Sequence, residues 1–294
     1  MHITVLKSQR NQKSALPKNI LEDNKMKKVL ALVLAALMVF ALVACNGGSN
    51  DSTTAAGESA SDAAGEKKTL VMATNATFPP YEYKDGDSFA GIDIEVAQKI
   101  AEKLGMELEI QDVEFGSIIS GVQAGKYDIG MAGISVTDER KESVNFTNTY
   151  TTTKQVVIVK EDSAIKSLDD LKGDGSMKFG VQQDTTGDIL ASDTVENGGY
   201  GEDNVTRYKA ATDTVQALKT DKVDAVIIDE APAKSFVSST DGLKILDGTW
   251  LEEEYAIAVS KTNNELLEKV NGALKELTDD GTIKSIIDKY IPAE

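Results

Sequence analysis

The chain has 294 residues, a formal charge of −17, and a single histidine and a single cysteine. This length suffices for two modest domains with real cores, and the acidic balance argues against nucleic acid or anionic lipid as a partner. With His2 near the start and Cys45 the only thiol, the remainder of the chain cannot build a Ser-His-Asp triad, a Cys-His pair, a histidine or thiolate metal site, or a disulfide.

Residues 1–25 carry mixed charge without apolar periodicity and precede a complete secretory signal with its own methionine, so they read as an upstream extension from a start codon placed too early. From Met26, Lys27 and Lys28 lead into the apolar run Val29 to Ala44, shorter than the ~20 residues of a spanning helix. The run ends in Leu42-Val43-Ala44-Cys45, which resembles the bacterial lipobox and implies lipidation at Cys45; an ordinary cleaved signal is the alternative. Residues 46–68 hold no large apolar side chain and read as a flexible tether reaching roughly 25 Å. Residues 1–44 hold seven Lys/Arg against two Asp/Glu, so the part from Cys45 onward carries −22.

Leu70 to Thr74 reads as a strand, and Asn75 to Tyr81, with two prolines, as a surface turn. Tyr81 to Ala90 has Asp85-Gly86 between aromatic residues, a hairpin pattern. Asp93 is placed to cap a helix whose apolar face is Ile94, Ala97, Ile100, Ala101 and Leu104, ended by Gly105. A strand (107–111), a short helix (117–124) and a strand (128–132) complete a β-α-β-α-β series, which argues for a mostly parallel sheet. The pattern then repeats: strands at 156–159 and 177–182, a helix at 186–195, a strand at 205–208, a helix at 212–220 and a strand at 224–228. A last strand at 255–259 leads into two amphipathic helices separated by Asp279-Asp280-Gly281.

In open α/β sheets ligands bind beyond the carboxyl ends of strands, and three such places stand out. In Gly133-Ile134-Ser135-Val136-Thr137-Asp138-Glu139-Arg140, Thr137 caps a short helix whose first turn holds Arg140. A cation there opposes the helix dipole unless an anion lies beside it, and arginine matches a carboxylate bidentately; the bland reading is a surface pair with Asp138, Glu139 or Glu142. Gln183-Asp184-Thr185-Thr186 offers hydroxyls and free N–H groups before a helix, where Thr185 or Thr186 serves equally as an N-cap. Asp229 follows the apolar run 225–228 and suits either an ammonium group or the cap of the helix containing Pro232. An arginine and a carboxylate on different lobes meet the needs of a zwitterion withdrawn from water.

Together these segments resemble the polar amino-acid branch of the bacterial extracellular solute-binding proteins, the family 3 receptors of ABC importers. The matching stretches, in order from Thr69 to Tyr290, are FPPYEY, GIDIEVAQKIAEKLG, GKYDIGMAGISVTDERKESVNFT, GVQQDTT, VDAVIIDEAP and the C-terminal NGALKELTDDGTIKSIIDKY. The resemblance implies a two-lobed α/β flytrap of the periplasmic-binding-protein type II, with lobe 1 at 69–154 and 255–294, lobe 2 at 155–254, and hinge strands crossing near 152–156 and 253–256. It implies that Arg140 clamps a ligand carboxylate with Ser135 and Thr186, that Asp229 and the Gly133 carbonyl receive the ammonium, and that Phe78 and Phe115 sandwich the side chain; core packing is the bland reading of both rings. Asn75, Gln182 and Thr185 complete the expected set. Many basic-amino-acid and glutamine receptors of the family are acidic where this chain has Asn75, and several glutamine receptors have lysine where it has Gln182. The neutral pair suits a neutral amide, while Glu82, Asp184 and Asp188 nearby keep arginine and lysine open. The implied protein is a monomeric, lipid-anchored amino-acid receptor outside the cell that docks on a membrane permease, with no cofactor or metal. The alternatives are a carboxylate-dependent enzyme on the same scaffold, like the cyclohexadienyl dehydratases, and a sensor co-receptor.

Overall fold

The computed structural model describes residues 68–292; the expected signal sequence, Cys45 and the expected tether up to residue 67 lie outside the described residues. In chain order the elements begin with β1 (Thr69–Thr74), β2 (Thr77–Phe78), β3 (Glu82–Asp85), β4 (Ser88–Ala90), α1 (Ile92–Leu104), β5 (Glu107–Asp112), α2 (Gly116–Gln123), β6 (Ile129–Gly130), α3 (Asp138–Ser143) and β7 (Val144–Phe146). They continue with β8 (Thr151–Lys160), β9 (Phe179–Gln182), α4 (Thr186–Ser192), β10 (Val205–Tyr208), α5 (Ala211–Lys219), β11 (Ala225–Asp229), α6 (Glu230–Ser239), β12 (Leu243–Ile245), β13 (Leu251–Tyr255), β14 (Ala258–Ser260), α7 (Asn264–Asp279) and α8 (Thr282–Tyr290).

Two sheets form two lobes. The first runs β5-β1-β6-β14-β7, parallel among β5, β1 and β6 and antiparallel at β14; the second runs β10-β9-β11-β8-β12, with β13 also paired on β8. The central strand β11 is buried along its whole length and reads as a continuous apolar run rather than an alternating one, whereas the edge strand β5 alternates. In β11, Val226 and Ile228 enter one core while Ala225 and Ile227 enter the other; Val156 and Ile158 of β8 part from Val157 and Val159 in the same way. The cores between helix and sheet thus follow from the period-two geometry of a strand.

Several expectations need correction. Asp93 does not cap α1: Gly91 occupies the N-cap position, and Asp93 is buried with its carboxylate turned toward the Gly133 N–H and the Tyr150 hydroxyl, both 2.8 Å away. A carboxylate held by two tertiary donors outcompetes the local cap. The single strand expected over 255–259 is two strands in two different sheets, β13 and β14, because the chain crosses from one lobe to the other between them. β8 starts five residues earlier than the apolar run, β6 is only two residues long, and α4 stops at Ser192. Strands β7 and β12 were not anticipated.

The crossing itself is antiparallel: Thr151 to Gln155 of β8 pair with Tyr255 to Leu251 of β13. This stretch is polar because it bridges the lobes instead of lying inside either one. Among the described residues, no helix is long and apolar enough to cross a membrane.

Candidate functional site

A small cavity of about 10 Å³, little more than the room for one water, lies between the carboxyl ends of the two sheets. Its walls bring together all ten side chains and backbone positions expected from the sequence: Asn75, Phe78, Phe115, Gly133, Ser135, Arg140, Gln182, Thr185, Thr186 and Asp229. Glu82 and Ala132 complete the lining. Asn75 follows β1, Gly133 follows β6, Gln182 ends β9 and Asp229 ends β11, which is where an α/β sheet offers a ligand its loops.

Arg140 is 8% exposed and makes none of the surface pairs open to it in sequence. Its Nη1 donates to the Ser135 carbonyl at 2.7 Å and its Nη2 to the Asp184 carbonyl of the other lobe at 2.9 Å, while the Phe115 ring lies 5.3 Å from the guanidinium carbon. The helix behind it is capped as expected, the Thr137 hydroxyl accepting from the Arg140 N–H at 3.1 Å. Burial pulls the guanidinium pKa down, and the charges of Glu253 and Asp229 oppose that pull.

On the facing wall, Asp229 is 6% exposed and sits at the N-cap position of α6 without its side chain capping the helix. Its Oδ2 accepts from Gln155 Nε2 at 3.0 Å, and its Oδ1 lacks a hydrogen-bond partner. Burial, then the charge of Glu253, pushes its pKa up to about 7 despite the hydroxyls of Tyr255 and Thr153 and the Gln155 amide. A buried carboxylate oxygen with no donor is a demand for one.

Thr185 is the N-cap of α4, its hydroxyl accepting from the Asp188 N–H and donating to the Gln182 carbonyl; Thr186 Oγ1 faces the cavity and accepts from Gln155 Nε2 at 3.4 Å. Asn75 and Gln182 meet across the lobes, Gln182 Nε2 donating to Asn75 Oδ1 at 2.9 Å, while Asn75 Nδ2 is spent on the Val113 carbonyl. Of the three acidic residues near the site in sequence, Asp188 is turned away to Arg207 at 2.8 Å and Asp184 lies outside the cavity lining. Glu82 lines it and is 1% exposed; burial and the neighbouring Asp93 carboxyl push its pKa well up.

Gly133 has φ 54 at the cavity floor, and a Cβ there would press on the Phe78 and Tyr255 rings at 3.1 and 3.2 Å. The position needs both the left-handed backbone and the missing side chain. Sequence reasoning missed Gln155, 1% exposed and central to the Asp229 wall. Its one signal was a long polar amide just ahead of the apolar run Val156 to Val159. Among the described residues, no group of three or more His, Cys, Asp or Glu side chains is placed to hold a metal ion.

The chain is also similar to proteins already known. Residues 70–293 match the family described as bacterial extracellular solute-binding proteins, family 3. The arginine-binding extracellular protein ArtP of Bacillus subtilis (strain 168) is 35% identical over 272 residues, covering 92% of this chain and all of that one. Among solved structures, an ancestral arginine-binding protein bound to glutamine is 39% identical with a TM-score of 0.70, covering 78% of this chain and 100% of that one. The ancestral amino acid-binding protein AncCDT-1, a precursor of cyclohexadienyl dehydratase, is 30% identical with a TM-score of 0.68, covering 76% and 95%.

Proposed function

The chain belongs to the bacterial extracellular solute-binding proteins, family 3, and from that premise we propose that it is the amino-acid receptor of an ABC importer. The observation that carries the reading is the opposition of Arg140 and Asp229 across one small buried cavity. Arg140, with Ser135 and Thr186, holds the ligand carboxylate. Asp229 and the Gly133 carbonyl take the ammonium. A free zwitterion satisfies both charges at once, and a group with only one of them leaves the other buried and unpaired. Binding draws on contacts to both lobes and so supplies the energy of closure.

The side-chain end of the cavity favours a polar L-amino acid, glutamine or a basic one. Gln182 donates to Asn75 and Glu82 adds a carboxyl to the wall; the arginine-binding relative and the glutamine-bound ancestral protein support arginine and glutamine as the first candidates. The receptor is a monomer tethered by lipidated Cys45 on the outer face of the cytoplasmic membrane, where the closed form docks on a permease. The rival reading, a carboxylate-dependent dehydratase on the same scaffold, draws support from the likeness to AncCDT-1, itself described as a binding protein.

The test is a thermal-shift screen against the twenty amino acids and cystine, followed by calorimetry. A ligand at a hundred times its dissociation constant adds about 2.7 kcal/mol, and a shift with arginine, glutamine or both is expected. No shift with any amino acid, or turnover of prephenate or arogenate, overturns the reading.

A further inference from the structure

Gln155 lies on β8 between two neighbours, opposite Asp229 of β11 on one side and Leu251 of β13 on the other. Its single amide NH2 is aimed at three oxygens: Glu253 Oε2 at 2.7 Å, Asp229 Oδ2 at 3.0 Å and, more loosely, Thr186 Oγ1 at 3.4 Å. Asp229 and Thr186 line the cavity, whereas Glu253 lines a neighbouring groove formed with Thr152, Thr153 and Lys154 of the hinge, which Thr186 also borders. The amide therefore stands in the wall between the buried cavity and the outer side of the hinge.

An amide NH2 has two hydrogens, and here it stands between two carboxylates. The Asp229 carboxylate also faces Arg140, Glu82, Tyr81 and Tyr255, of which Arg140 alone is cationic. Gln155 is thus an amide donor shared between Asp229 and Glu253, and the hydroxyls of Tyr255 and Thr153 also lie toward Asp229.

We propose that Gln155 is a positioning residue for ligand capture: it holds Asp229 ionised and aimed into the cavity and shields it from Glu253, so that the hinge pair Gln155–Glu253 sets the strength of the ammonium grip. This rests on the reading that Asp229 receives the ammonium of an amino acid. Replacing Gln155 by an apolar residue of similar length leaves the buried Asp229 carboxyl facing the half-buried one of Glu253 with no donor between them. The charge of Glu253 then disfavours the Asp229 anion, and the ammonium finds a neutral partner.

The experiment is calorimetric titration of arginine and glutamine into the wild-type chain and the Gln155→Met, Glu253→Gln and Gln155→Met/Glu253→Gln variants between about pH 5.5 and 8.5. Gln155→Met is expected to bind at least about tenfold more weakly near the acidic end, with the loss shrinking as the pH rises; a lost bond to a buried charged group is of that size. Adding Glu253→Gln to it restores most of the affinity. Glu253→Gln alone moves the acid limb of the affinity profile to lower pH, and this arm stands even where Gln155→Met does not fold. Gln155→Met binding within about threefold of wild type throughout, a pH-independent loss that Glu253→Gln leaves untouched, or an unmoved acid limb in Glu253→Gln overturns the proposal. Failure of the wild type to bind either amino acid overturns the receptor reading instead, and the two failures are distinct.

Discussion

Arg140 and Asp229 are buried charges that share one cavity, and each is only half satisfied by the protein: Arg140 by two carbonyls, Asp229 by one amide. Arg140→Ala and Asp229→Ala are each expected to cost about 2–5 kcal/mol of binding, the range for one member of a buried charged pair; calorimetry showing near-wild-type affinity in both variants would remove the site. The acids beneath the cavity make a second prediction. Asp229 is pushed up to about 7 and Asp93 to about 6, above the ~3.9 of an unfolded aspartate. The folded chain therefore holds the extra protons between about pH 4 and 7, and these groups add stability as pH falls through that window and withdraw it as pH rises. Without added amino acid, the urea midpoint should be higher near pH 5.5 than near pH 7.5, with Asp229→Asn removing part of the difference. Ligand binding near pH 6 should release protons, visible as a dependence of the calorimetric heat on buffer ionisation enthalpy. At this scale the sequence was informative about residue types but not about their competitors. Asp93 has the look of a helix cap and Asp229 of either a cap or a ligand group, and only the distances to Gly133, Tyr150 and Gln155 separate these roles.

At the scale of elements, the hairpin and α1 are locked together through Gly91. Its φ is 124, and a Cβ would lie 2.2 Å from the Tyr81 carbonyl oxygen. Gly91→Ala is therefore expected to destabilise the fold by at least about 2 kcal/mol, through backbone strain and displacement of the Tyr81 backbone, measured as a lower urea midpoint with an unchanged slope. α1 itself was legible because one face buries Ile94, Ala97, Ile100 and Ala101 and Gly105 ends it in the left-handed region. β11 was legible for a related reason, since a strand covered on both faces has no polar interruption. β13 was not legible from its own residues, and only the family resemblance placed a hinge strand near 253–256. Its sequence, Leu-Glu-Glu-Glu-Tyr, is largely exposed and has no apolar alternation, and what makes it a strand is pairing with β8 more than ninety residues away.

Considered as a whole, the described part of the molecule is two α/β lobes in contact through shared apolar packing and polar links that include Gln182 to Asn75, Arg140 to the Asp184 carbonyl, the Ala211 N–H to the Thr77 hydroxyl, and Lys209 to Glu114. These links differ in worth because their surroundings differ. The Lys209–Glu114 pair is exposed on both sides, so Lys209→Ala should change affinity for the ligand by less than about threefold. Gln182→Ala removes a buried hydrogen bond and should weaken binding by about three- to tenfold; equal effects in a side-by-side titration would contradict this ranking.

The sequence by itself determined the repeated strand and helix pattern and the candidate residues at strand ends, because periodicity and burial are local consequences of residue type. What only the tertiary structure decided was which of those residues meet. The cavity joins side chains more than 150 positions apart, from Asn75 to Asp229. Gln155 gains its place in the wall from strand register, β11 on one side and β13 on the other. Register is fixed by pairing over long stretches of chain, and no spacing along the sequence records it.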